Sequence, residues 1–142
     1  MPMPVVPLNA AQANQLFKEF TTWMVHSVPA DWEQLFLTFR AVGDYVELTG
    51  RVVTVLGTAR PWTPPERAVD FFVDLRDSMA KPDEGAWTTV RYHLTHPGGY
   101  SAEYDWDGEP DWDHVPPAEF FRQEMERYPR TGEHAEWLRA RG

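Results

Sequence analysis

Cysteine is absent from this 142-residue chain. That removes disulfides, thiolate metal ligation and a thiol nucleophile together, and nothing in the composition asks for an oxidising compartment. Nowhere do about eighteen apolar residues run together, so no membrane span is expected. The start, Met1-Pro2-Met3-Pro4-Val5-Val6-Pro7, has neither a basic region nor a long apolar one, so no secretory leader is expected and a cytoplasmic home is the simplest reading. Serine occurs only at 27, 78 and 101, and no nucleophile elbow or Ser-His-Asp order stands out. No Ser- or Gly-rich linker divides the chain and no long repeat is visible, so residues 1–142 read as a single domain. Bases are also scarce: the formal net charge is −9. Affinity for a phosphate backbone rests on Lys and Arg, so nucleic acid is not the expected partner, and a basic protein is.

What is present is enough to fold. A hydrophobic fraction of 42% with 14% aromatics is globular. Asn9 is a candidate N-cap for a helix over about 10–27, with Ala13, Leu16, Phe17, Phe20, Trp23 and Met24 at helical spacing before Pro29. Trp32 to Phe39 alternates, and Gly43-Asp44 separates it from Tyr45 to Leu56, giving a hairpin with Gly50 as a candidate bulge. Gly57 to Pro65 reads as a loop. Thr63-Pro64-Pro65-Glu66 carries a capping-box spacing with Pro at the first helical position, opening a helix buried through Val69, Phe72, Val73 and Met79. Trp87 to Leu94, the turn His96-Pro97-Gly98-Gly99 and Tyr100 to Trp106 form a second hairpin. Pro116-Pro117 opens a helix carrying Phe120, Phe121, Met125 and Tyr128, and a short last helix carries Trp137 and Leu138. The fold class predicted is α+β: an antiparallel sheet of about four strands in two hairpins, with helices at both ends and one between the hairpins, all packed on one face.

The loudest signal lies in the eleven residues from Glu103 to Asp113. Glu103, Asp105, Asp107, Glu109, Asp111 and Asp113 fall at every second position with no Lys or Arg among them, supplying six of the nine net negative charges. Strand alternation places Glu103, Asp105 and Asp107 on one face, with Tyr104 and Trp106 on the other. Large amphipathic rings beside clustered charge, here Tyr104, Trp106 and Trp112, are the composition of a docking surface. Trp62 and Trp112, with Trp106, lie in or beside loops, where packing and partner contact are equally open readings. The other tryptophans have core-compatible spacing.

Chemistry is harder to find. Asp105 and Asp107 are close enough for one to serve as a general acid, yet on an exposed strand they stay solvated and ionised. The histidines at 26, 93, 96, 114 and 134 include no His-x-x-x-His pair. Asp105-x-Asp107-Gly108 begins like a calcium loop, but counted from Asp105 the Gly falls fourth, Pro110 holds the sixth position and Pro116 the twelfth. Gly98-Gly99 lies between strands, with no helix N-terminus behind it to cradle phosphate. No catalytic residue, metal or cofactor is expected.

The stretch from Gly99 to Asp107, the following Pro110, the helix start Pro116-Pro117-Ala118-Glu119-Phe120 and the closing Tyr128-Pro129-Arg130 resemble the C-terminal half of YezG-like immunity proteins, over residues 86–130 and including Trp87. The resemblance implies a small cytoplasmic bacterial antitoxin that neutralises a polymorphic toxin, often a nuclease, by binding it. Trp106 stands where Tyr is usual. The alternatives are a small acid/base or metal-dependent enzyme using the same carboxylates, and an adaptor for an endogenous basic protein; the toxin's chemistry and the oligomeric state stay open.

Overall fold

The computed structural model describes residues 6–131 and 135–142; the Met-Pro-Met-Pro start and His134 lie outside the described residues. The element order is α1 (Ala10–Met24), β1 (Trp32–Val42), β2 (Tyr45–Thr54), β3 (Ala59–Pro61), α2 (Glu66–Met79), β4 (Thr89–Thr95), β5 (Gly99–Asp105), α3 (Ala118–Arg127) and α4 (Glu136–Arg141). The strands form one antiparallel sheet in the order β3-β2-β1-β4-β5. The α+β class and both hairpins match the sequence reading, with a cis His96–Pro97 bond in the second turn.

The sheet has five strands rather than about four, because β3 forms inside the stretch read as a loop. Three residues are too few to show alternation, and Pro61 has no N–H to donate, which an edge strand tolerates. Gly50 is not a bulge. It pairs in unbroken register with Leu37, and the irregularity lies between Trp32 and Gln34. The Trp62 amide donates to the Gly50 carbonyl at 2.9 Å, and a Cβ on residue 50 would sit 2.4 Å from the Trp62 carbonyl oxygen. Glycine is therefore required for close backbone approach.

Asn9 caps α1, its side chain accepting from the Gln12 amide while Gln12 returns a bond to the Asn9 amide, a reciprocal capping box. Helix α2 begins differently from expectation: Pro65 is the N-cap itself and no side chain, Thr63 included, bonds to the helix start. Its buried stripe is Ala68, Phe72, Leu75, Arg76 and Met79; Val69 is half-buried and Val73 is 41% exposed.

Alternation along β1 divides the sheet into two faces. Leu35, Leu37, Phe39 and Ala41 join Val90, Tyr92 and Leu94 of β4 beneath α1 and α2, where Phe17 stacks on Tyr92 at 5.7 Å and Phe39 on Phe72 at 5.4 Å. Each such fully buried ring contributes about 1.5–3 kcal/mol. The Tyr92 hydroxyl meets Thr21 Oγ1 at 2.6 Å, which satisfies both buried groups. Helices do not all share that face, contrary to expectation. Val42 and its partner Tyr45 point the other way, and with Phe121, Leu138 and Trp112 they form a second cluster under α3 and α4. That apolar patch at the β1–β2 turn needs its own cover, and the amphipathic α3 supplies it.

Candidate functional site

The acidic segment is held in one shape by bonds along its whole length. At the end of β5, Asp105 Oδ1 accepts the amides of Asp107 at 3.2 Å and Gly108 at 3.0 Å, turning the chain sharply. Thr88 secures the turn, its amide donating to the Asp105 carbonyl at 2.9 Å and its hydroxyl to the Gly108 carbonyl at 2.9 Å. Glu109 pairs with Arg141 of α4 at 2.7 Å, and Pro110 is buried. The far end is pinned by Glu47 of β2, which accepts the amides of Asp113 at 3.1 Å and His114 at 3.0 Å and the Tyr45 hydroxyl at 2.7 Å. Burial opposes ionisation of Glu47, but the Tyr45 hydroxyl, those two amides and Arg40 hold its carboxyl below the usual range. Burial, then the bond to Glu47, pushes the Tyr45 phenol up to about 12.

The acids therefore do not form one strand face. The strand ends at Asp105, whose carboxylate is half-buried and committed to its own turn. Glu103 is exposed on β5, across the ladder from Arg91. Asp107, Asp111 and Asp113 are exposed beyond the turn, and Glu109 is tied to α4.

The expected aromatics pack inward. Tyr104 lies against Trp87 at 5.7 Å, and burial, with Tyr100 nearby, raises its phenol to about 12. Trp106 packs on the main core with the Lys81 ammonium 4.5 Å over its ring. Trp112 sits edge-on to Tyr45 at 5.8 Å and Phe121 at 6.2 Å, with its indole nitrogen buried and without a hydrogen-bond partner among the described residues. Trp62 is half-buried against the main core. Tyr104, Trp106 and Trp112 thus tie the acidic segment to the body of the fold, whereas Trp62, beside β3 at the opposite edge of the sheet, does not touch it.

A buried set of charged side chains escaped the sequence reading. Glu124 of α3, fully buried, takes Arg76 of α2 at 2.5 Å and Arg130 at 2.8 Å, and accepts the Gly43 amide at 2.8 Å. Arg76 Nε also donates to the Trp87 carbonyl at 2.7 Å, and Arg130 to the Ala86 carbonyl at 2.5 Å. Burial raises the cost of the Glu124 charge, yet the two guanidiniums and the Gly43 amide outweigh it and hold the carboxyl low. Burial also draws Arg130 down against the pull of Glu124. The Tyr-Pro-Arg ending is thus architectural: Arg130 closes the domain, and Gly85 is shaped to it, since a Cβ there would lie 2.5 Å from Arg130 Nε. The available signal was Arg76 itself, which falls on the apolar stripe of α2 four residues after Phe72 and three before Met79.

Among the described residues no three His, Asp or Glu side chains converge in a metal-binding arrangement. His93 is hydrogen-bonded to Gln34 at 2.9 Å and stacked on Phe36, and His96 rests against Trp32 at 5.1 Å. Among the described residues no helix is long and apolar enough to cross a membrane. Compared with known proteins, the chain matches no protein-family model and no curated protein.

Proposed function

We propose that this protein is a cytoplasmic immunity protein that binds and neutralises a cognate polymorphic toxin domain of nuclease type, without turnover of its own. The observation that supports the reading is the pinned acidic segment. A chain loaded with carboxylates between Glu103 and Asp113, free of bases, is held by Glu47, Thr88, Arg141 and the Trp112 anchor, so little ordering is left to lose on binding. A nuclease holds its substrate in a basic groove, and Glu103, Asp107, Asp111 and Asp113 present the charge that such a groove attracts. Steering by this field speeds capture. The resemblance of residues 86–130 to YezG-like immunity proteins points the same way. Expression of the adjacent upstream gene in cells lacking this one tests the proposal: growth arrest rescued by co-expression is the expected result. Hydrolysis of a nucleic acid, nucleotide or peptide by the purified protein at an ordinary enzyme rate would sink it.

A further inference from the structure

Among the described residues, the face of the sheet that carries Val42 and Tyr45 is covered only near the β1–β2 turn. Farther along, the registers align one transverse row across all five strands: Pro61, Arg51, Phe36, His93 and Ser101. Phe36 stands at its centre on the middle strand, still 39% exposed, and lies face to face with His93 at 4.4 Å and 8°. The Gln34 amide fixes the imidazole, which covers one face of Phe36 and holds the ring in place, and Phe36 itself lines the groove described next. Beside it runs a groove of about 750 Å³ with the hydroxyls of Thr38 and Thr49 on its floor and Arg51 and Arg60 at its sides. No acidic residue lines that groove, although the chain as a whole carries −9.

The arginines sharpen the contrast. Most of them are committed to carboxylates, rings or carbonyls of the fold, and Arg60 itself leans on Asp31 at 3.4 Å. Arg51 and Arg91 have no ion pair among the described residues; Arg51 stands directly across the ladder from Phe36, and Arg91 one register step away, opposite Glu103. Neither Thr38 nor Thr49 uses its hydroxyl in a hydrogen bond among the described residues. Flat π-surface, uncommitted guanidinium and idle hydroxyls occur together, and the groove volume lies within the range of roughly 300–1,000 Å³ typical of small-ligand sites.

We infer that this face binds a free nucleoside monophosphate, its base on the Phe36 face turned away from His93 and its phosphate on Arg51 with the Thr38 and Thr49 hydroxyls donating. The guanidinium fork matches phosphate geometry, and stacking on an aromatic side chain accepts any base. A polymer is disfavoured by the negative charge of the chain as a whole. The net charge of −9 repels a polyanion, whereas a single phosphate feels chiefly what lies within about 8 Å of it, and the charged residues that line the groove are Arg51 and Arg60. The site shares its sheet face with Glu103 and with Glu47, which pins the far end of the acidic segment, and the inference does not rest on the immunity reading.

Titration of the full chain with AMP and with CMP, followed by amide chemical shifts and calorimetry, tests it. The expected result is saturable shifts at Phe36, Arg51 and His93, with affinity falling roughly tenfold or more in Arg51→Ala and in Phe36→Ala and the melting temperature little changed. Phe36→Leu, which keeps apolar volume and removes the ring, guards against a folding defect in the alanine variant. Adenosine alone and inorganic phosphate alone are expected to bind more weakly than AMP. Absence of shifts at millimolar AMP and CMP, equal affinity in both variants, or tighter binding of a single-stranded oligonucleotide or an acidic peptide to this face would each overturn it.

Discussion

Glu47 on β2 accepts the backbone amide of Asp113, sixty-six positions along the chain, at 3.1 Å. One side chain thereby fixes the far end of the acidic segment and, through the Tyr45 hydroxyl, the ring on which Trp112 rests. Glu47→Ala is expected to speed hydrogen exchange at Asp113 and His114 while the amides of β1 and β4 stay protected. Tyr45, now at about 12, should fall only part of the way toward its ordinary value of 10.0, because burial, the larger cause, remains, and the difference between the ultraviolet titrations of parent and variant reads the change. The sign follows: a phenol raised by folding stabilises the fold below about pH 10 and loses that contribution as pH climbs through 12.

Charge reversal at the end of the segment isolates the proposed interface. Asp105 is a poor site for it, because its carboxylate holds the turn and Asp105→Lys would disturb the fold. Asp111 and Asp113 are exposed, so reversing both to Lys should leave the melting temperature nearly unchanged. Association with the toxin should slow, and its dependence on salt should shrink. Stopped-flow measurements at low and high salt decide; an unchanged rate with unchanged salt dependence removes the segment from the interface.

Trp112→Ala tests packing instead. The ring spans Tyr45 and Phe121 and is only half-buried, so its loss should cost about 2–4 kcal/mol of stability, somewhat under the full cost of a core tryptophan. Urea denaturation of the free protein gives the number. A variant as stable as the parent would mean that the ring supports nothing in the fold.

Glu124 links stability to acid. Its carboxyl is held below the ordinary 4.5, so it stabilises the fold above that value and the contribution disappears as pH falls through the lowered one. Glu124→Gln leaves two buried guanidiniums without a counter-charge and should cost about 3–5 kcal/mol at neutral pH. Urea titrations across the acid range should show a steeper loss in the parent than in the variant.

Two glycines separate backbone strain from collision. Gly57 and Gly85 both have positive φ, 81° and 78°, but a Cβ at 57 meets nothing within 4 Å whereas one at 85 strikes the Arg130 guanidinium. Gly57→Ala should cost about 1–2 kcal/mol. Gly85→Ala should cost more, because Arg130 must leave Glu124 or the chain must shift, and thermal denaturation of the pair measures the difference.

The parts of this fold legible in the sequence are those governed by local periodicity. Alternation from Tyr100 to Trp106 marks β5, which ends one residue earlier at Asp105, and Asn9 before a helical apolar stripe marks α1. Elements governed by distant chain were not legible. The strand Ala59–Pro61 exists because β2 offers its edge, and Gly50 is glycine because Trp62 passes over it. Trp106 and Trp112 lie outside regular structure, where no period tells inward from outward. Arg76, Glu124 and Arg130 are charged, and charged residues read as surface unless their partners, 48 and 6 positions apart in sequence from Glu124, are seen beside them. The acidic segment was found because composition alone reveals it, while the turn at Asp105 that divides it was not.

The Glu124 junction also sets an order of events during synthesis. The Gly43 amide and the Arg76 guanidinium are made long before the carboxylate that satisfies them, 81 and 48 residues later. At translation speeds of about 5–20 residues per second, Arg76 waits several seconds for its counter-ion. A guanidinium cannot be buried alone without a large desolvation cost. The sheet and its first two helices therefore cannot close fully while the nascent chain stops short of α3, and the last third of the polypeptide seals the whole domain.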